Sequence, residues 1–454
     1  MTTVPTTHSR VHPTPPPVAH THRSRPGWPL TLLYIGFPVW WALGLAQLMF
    51  FVAAAAMAVI LVRRREPLRV PHGFALWALF LVWVLLGMVV LRAHAPDTLP
   101  GFGMARVAGF VIRAGWYAAA TVVMLYVVNT AREVTTQRIV RLLAYMFVVT
   151  TCFGVVASVA PQLEFSSPAE LLLPHGIAKA NFVSTLVHPT LASTSEFLGY
   201  EQPRPTAPFP YSNAWGNNLA LFLPFFVLAW CGRDAGWRRH VAPFVLLAAV
   251  VPITFSLNRG LWIALAVAAA YAAFRLAANG RRRALQVLVA AVLVGGTAFM
   301  ASPLYDTVTL RVETPHSNER RASTAETVVA VTAEGSPIVG YGSTRTMQGS
   351  FSSLAGGETD SCHQCAAPPL GTQGFMWRLV LTTGFIGTLL CLAFLGVQFV
   401  RRARGPSPLD VATCSALLVA VLCFFVYDSL GSALFTVCIA VGLMARADAE
   451  EAIR

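Results

Sequence analysis

Charge is what this sequence has least of. Only 12% of its 454 residues are charged, far below the level of soluble domains, and Lys179 is its only lysine. Hydrophobic residues make up 56% of the chain, and the mean hydropathy is +0.61. That balance excludes a soluble enzyme, a coiled coil and a disordered chain. Cysteine is also scarce, with eight in all. Six of them (Cys152, Cys231, Cys391, Cys414, Cys423 and Cys438) fall in or beside apolar runs, where a thiol behaves as a small hydrophobe. A secreted disulfide scaffold is therefore excluded too. Acidic residues number 20 against 33 basic ones, for a net charge of +13. In so apolar a chain basic residues first report topology, and no nucleic-acid partner is expected.

Long apolar runs are abundant. Roughly 20 apolar residues cross a bilayer, and the run 28–62 holds two tightly connected helices. Ten more follow at about 73–92, 109–128, 139–160, 216–231, 240–256, 260–278, 284–301, 373–399, 409–427 and 430–446. The expected fold is an all-α polytopic integral membrane protein of about twelve transmembrane helices with two long external loops. Residues 1–27 read as a disordered cytoplasmic tail, rich in proline and histidine, for which metal binding by His8, His12, His20 and His22 is an alternative. Helices 1–5 occupy 28–160, an external loop 161–215, helices 6–9 216–301, a larger external loop 302–372, helices 10–12 373–446, and a cytoplasmic tail 447–454. Arginine and lysine then divide 22 inside to 11 outside. That bias places both termini in the cytoplasm, and the plasma (inner) membrane is the expected location.

The chemistry-bearing residues crowd into the external side. Ser256-Leu-Asn258-Arg259-Gly260 puts a cation between two apolar runs, where it faces a polar partner or snorkels to headgroups. Snorkelling is the expected fate of Arg113 and Arg378, a turn inside their spans. Arg204 to Asn213 is held extended by its prolines. In the large loop, a helix is expected to start near Ser317-Asn318-Glu319 and to stop at Gly335-Ser-Pro337, with Val328, Val329 and Val331 on an apolar face. Gly340 and Gly342 then allow close backbone approach to a ligand. Arg204, Arg259, Arg320, Arg321 and Arg345 are the candidates to converge on the outer face. Their planar guanidinium forks suit the oxygens of a pyrophosphate whose lipid tail lies in the bilayer. Cys362-His-Gln-Cys365 reads as a short disulfide, a half zinc site lacking a second pair, or two free thiols.

In this order the residues resemble the O-antigen ligase and polymerase superfamily of membrane glycosyltransferases. The resemblance rests on Arg204 with Asn213 entering a span, and on Asn258-Arg259-Gly260 leading an apolar helix. It continues with Arg321 sixteen residues before Pro337-Ile-Val-Gly340-Tyr-Gly342, and with Gly384-Phe-Ile-Gly387 in a later span. It covers roughly 203–400. One departure stands out: Gly371-Thr-Gln-Gly-Phe-Met-Trp377 lacks the histidine that the family often has there.

The resemblance implies transfer of a glycan from a polyprenyl-pyrophosphate carrier to a glycan, lipid or protein acceptor hydroxyl, with no metal or other cofactor. Arginines would stabilise the leaving pyrophosphate, Arg259 and Arg321 first and Arg204, Arg320 and Arg345 after them. Candidates for the acceptor's base are His363, His316, Glu358, Asp360 and Asp428, although Asp428 also reads as a simple turn residue between the last two spans. Two other classes remain open: a flippase of lipid-linked glycans, and a non-catalytic scaffold of a cell-wall assembly complex.

Overall fold

The computed structural model describes residues 27–451 apart from 101–102, 196–201, 233–234, 301–304, 306–308, 310–315 and 348–368. Among the described residues the chain is mostly helical. That is the form in which an apolar backbone satisfies its own donors and acceptors without water.

Helices α1 (Trp28–Ile35) and α2 (Phe37–Ala42) form one interrupted rod. Pro38 removes a donor at the interruption, and the Trp40 indole donates to the Leu32 carbonyl at 3.0 Å. Then come α3 (Ala46–Val62), α4 (Phe74–Leu86), α5 (Met104–Asn129) and α6 (Thr136–Val159). The last begins on Thr135, whose hydroxyl caps the Arg138 amide.

The first long loop carries structure of its own: α7 (Pro168–Leu172), α8 (His175–Ala178) and α9 (Asn181–Val187). A hairpin of β1 (Ala192–Ser195) and β2 (Gln202–Pro205) follows, antiparallel, with Ser193 opposite Arg204. This hairpin is a small departure from an all-α chain. Helices α10 (Ser212–Trp230), α11 (Arg238–Phe255), α12 (Arg259–Ala278) and α13 (Arg282–Met300) come next. The helix expected in the large loop is α14 (His316–Gly335). Val328 and Val331 are buried on it, whereas Val329 is exposed. Last are α15 (Phe375–Arg402), α16 (Pro408–Val426) and α17 (Ser432–Glu451).

Among the described residues, eight stretches are long and apolar enough to cross a membrane: Phe74–Arg92, α5, α6, α11, α12, α15, α16 and α17. The remaining apolar runs carry α1 with α2, α3, α10 and α13. Of these eight the most enclosed is α17, with 83% of its apolar window buried; it packs chiefly on α5 and also against α10, α15 and α16. By contrast α13 leaves Val287, Val292, Leu293 and Val294 exposed.

Hydrogen bonds and ion pairs sort the helix ends into two sets. At one end Arg64 meets Glu133 at 3.2 Å, Arg275 donates to the Gly405 carbonyl, and Arg446 donates to the carbonyls of Val127 and Val134. Arg402 there binds Asp448 at 2.8 Å, Glu451 at 2.7 Å and Asp410 at 3.5 Å. We call this the basic end. The opposite end gathers Arg204, the α11–α12 turn, residues 337–345, the start of α15 and the α16–α17 turn.

One helix is discontinuous. Within α15, Gly384 adopts φ 66° and ψ −174°, and Pro337–Gly342 docks into the break. Tyr341 N–H donates to the Leu381 carbonyl at 2.8 Å, Gly342 N–H to Thr382 at 3.1 Å, and Phe385 N–H to Pro337 at 2.8 Å. The interrupted helical bonds are thus replaced by tertiary ones, as irregular backbone beside apolar surroundings requires.

Candidate functional site

The site is built where several helices begin at the far end. β2 delivers Arg204, which is 7% exposed. Its Nε donates to the Ser256 carbonyl at 2.6 Å, and its Nη2 donates to the side-chain oxygens of Asn258 and, at 3.4 Å, Asn213. Arg204 thereby fixes the turn between α11 and α12, in which Leu257 takes a left-handed φ of 52°. Asn258 passes the constraint on, donating from Nδ2 to the Ser212 carbonyl at 2.9 Å. It fits there because Gly216 has no side chain: a Cβ at Gly216 would lie 2.8 Å from that same nitrogen.

Arg259 opens α12, and the charge of Arg321 on α14 acts on it. The charges of Arg321 and Arg204 both act on the Tyr427 phenol, which burial pushes above its ordinary pKa. Tyr427 holds two helix starts together. Its hydroxyl accepts from Leu261 N–H at 2.9 Å, and its carbonyl accepts from Phe375 N–H at 2.8 Å. These are amides of the first helical turns, which have no partner inside their own helix. Gly260 permits the approach, since a Cβ there would stand 2.7 Å from the Tyr427 hydroxyl. Next in the chain, Asp428 meets Arg378 at 2.7 Å and accepts from Leu430 N–H at 3.2 Å. Asn217 donates to the Ser429 hydroxyl at 2.8 Å and joins α10 to the same turn.

Arg204, Asn213 and Asn258 are thus bonded together beside Tyr427, Arg259 follows Asn258 in the same turn, and Arg321 is near enough for its charge to act on both Arg259 and Tyr427. Arg345 does not join them. It is 2% exposed, and its guanidinium is enclosed by the carbonyls of Leu91, Ala93, Tyr341, Ser343 and Thr344 and by the Ser343 hydroxyl. Burial pushes its pKa down to about 10, with Arg106 adding a like charge, which leaves it a cation at neutral pH. Its Nη donors pin 341–345 to 91–93, so the expected convergence of Arg345 with the other arginines is corrected: the structure places it in that tie instead.

Gly340 and Gly342 are corrected likewise. Both have left-handed φ, and Cβ atoms on them would strike the Gly384 amide at 2.5 Å and the Gly87 carbonyl at 2.0 Å. They admit the chain's own backbone rather than a ligand. Arg113 and Arg378 also turn inward rather than to headgroups: Arg113 donates to the Gly342 carbonyl at 2.8 Å and Arg378 to Gly371 at 3.2 Å.

Arg320 falls on α14 with its side chain outside what is described, as does His316. Glu358, Asp360, Cys362, His363 and Cys365 lie outside the described residues. Among the described residues, no group of three His, Cys, Asp or Glu side chains is placed to hold a metal ion. Tyr427 and Asn217 escaped sequence reasoning. Tyr427 looks like any interfacial tyrosine, and the available signal for Asn217 was the Asn217-Asn218 pair inside an otherwise apolar run.

What this arrangement offers chemically is a positive surface. Guanidiniums are held by neutral amides and carbonyls, and the N-termini of α10, α12 and α15 add partial positive charge. An anion of two or more phosphates matches it. No protein-family model matches the chain, and no curated protein matches it.

Proposed function

We propose that the chain is a glycosyltransferase of the O-antigen ligase and polymerase kind, crossing the plasma membrane twelve times with both termini in the cytoplasm. It moves a glycan from a polyprenyl-pyrophosphate carrier to an acceptor hydroxyl outside. The observation that carries this reading is the bonding of Arg204 to Asn258 beside Tyr427, with Arg259 next in the turn and Arg321 near enough for its charge to act there, at the end opposite the basic one.

In the proposed step the acceptor oxygen bonds to the anomeric carbon while the bond from that carbon to the pyrophosphate oxygen breaks. The electron pair leaves on the polyprenyl pyrophosphate, where Arg259 and Arg321 stabilise the growing charge. Arg204 holds the turn that aims Arg259. The acceptor proton passes to Asp428, which Arg378 keeps in place.

A flippase is the second reading, because a discontinuous helix is a transporter feature. The break at Gly384 is filled by the chain's own residues 337–342, which favours the enzyme. The test uses purified protein in detergent with a polyprenyl-pyrophosphate glycan donor. Donor should be consumed, and Arg321→Ala should slow consumption by about 10²–10³-fold, the usual cost of one transition-state donor. Intact donor with wild-type protein and its acceptor present would refute transfer.

A further inference from the structure

A second ligand surface lies at the basic end, away from the Tyr427 cluster. Between α1 and the first turns of α6 runs a groove of about 460 Å³ lined by Trp28, Thr31, Leu32, Ile35, Gly36 and Arg138. Its walls are apolar and open: Trp28 is 41% exposed, Leu32 43% and Ile35 54%. Its one charged wall is Arg138, which donates from Nη2 to the Thr31 hydroxyl at 2.8 Å. That bond holds the guanidinium at the mouth of the groove, and the opposite limit is set by Tyr145, whose hydroxyl donates to the Ile35 carbonyl at 3.3 Å. Arg141, also exposed, lies one turn further along α6.

We propose that this groove binds an anionic phospholipid of the leaflet on the basic side, with an acyl chain along Leu32 and Ile35 and the phosphate on Arg138. Three features favour that occupant. The groove is polar at one end and apolar along its length, which is the pattern of an amphiphile rather than of a free anion. A tryptophan at its rim suits the headgroup level, and basic pockets between helices on the cytoplasmic side recognise acidic headgroups. The chain's own leading segment is a poor competitor, because residues 1–27 hold three arginines, four histidines and no acidic residue. Its charge is of the same sign as that of Arg138 and does not complement it.

The test is lipid retention by the full-length protein, measured by native mass spectrometry after exchange into detergent containing equal phosphatidylglycerol and phosphatidylcholine. Phosphatidylglycerol should be retained preferentially. Arg138→Gln should cut that preference about fivefold, the effect of one basic side chain at an anionic surface. Leu32→Trp, which fills the groove and leaves Arg138 intact, should lower retention of phosphatidylglycerol as well.

Equal retention of the two lipids, or a preference unaffected by Arg138→Gln, overturns the proposal. So does inorganic phosphate displacing phosphatidylglycerol completely, which would mark a free-anion site. Higher phosphatidylglycerol retention on removal of residues 1–26 also overturns it, by making the tail the occupant. None of these outcomes bears on glycan transfer.

Discussion

The two ends of the molecule differ in how often an arginine meets a carboxylate. At the basic end guanidiniums meet carboxylates: Arg402 with Asp410, Asp448 and Glu451, Arg64 with Glu133, and Arg401 with Asp448. Their charge is largely cancelled, and what remains is structure. At the far end Arg204 donates to amide and carbonyl oxygens, and Arg113 and Arg345 donate to carbonyls and a hydroxyl. Neutral acceptors orient a guanidinium without cancelling its charge. Arg378, paired with Asp428 at the far end, and Arg275 and Arg446, bonded to carbonyls at the basic end, are exceptions, so the same residue type is chiefly neutralised in one place and chiefly left charged in the other. An arginine therefore has to be judged by its acceptors.

Substitutions at the two ends should separate stability from chemistry. The largest effect on stability belongs to the basic end. Arg402→Ala strands Asp410, which is 1% exposed, and should cost about 3–5 kcal/mol, read as a large fall in thermal midpoint in detergent. Glycan transfer per folded molecule should hardly change. At the far end Arg204→Ala should do the reverse. Losing hydrogen bonds to a charged donor costs about 1.5–3 kcal/mol, but displacing the turn that aims Arg259 should lower transfer about 10²-fold. An Arg204→Ala protein that transfers normally would reduce that end to scaffolding. The smallest effect is expected at Gly260. A methyl there meets the Tyr427 hydroxyl and should cost about 1–3 kcal/mol, and Tyr427→Phe in the same chain should recover part of it. A double-mutant cycle with no coupling would contradict the contact.

Much of the helical plan was legible in the sequence. The run 373–399 falls on α15 (Phe375–Arg402) but for its first two residues, and 109–128 lies within α5 (Met104–Asn129), because hydropathy acts locally and a membrane helix needs length. Breaks were less legible. The apolar run 373–399 conceals Gly384, whose left-handed φ is set by residues some forty positions earlier in the chain, at 337–342.

The site divides in the same way. Arg204, Asn213, Arg259 and Arg321 could be singled out in the sequence because each is a polar residue on the external side, beside or between apolar runs. The different fate of Arg345 could not be read there, since it depends on the carbonyls of Leu91 and Ala93 more than 250 residues away. Tyr427 was missed for the same reason: its importance comes from Leu261 and Phe375, which no local pattern connects to it.

In the proposed reaction the far-end arginines stabilise a leaving pyrophosphate. The most direct test compares extracts of wild-type and Arg259→Ala cells, following polyprenyl-pyrophosphate-linked glycan by mass spectrometry with its leaflet determined. The donor should accumulate on the outer leaflet of the variant while one glycan conjugate disappears. Accumulation on the inner leaflet alone, or an unchanged donor with its conjugate intact, would contradict it.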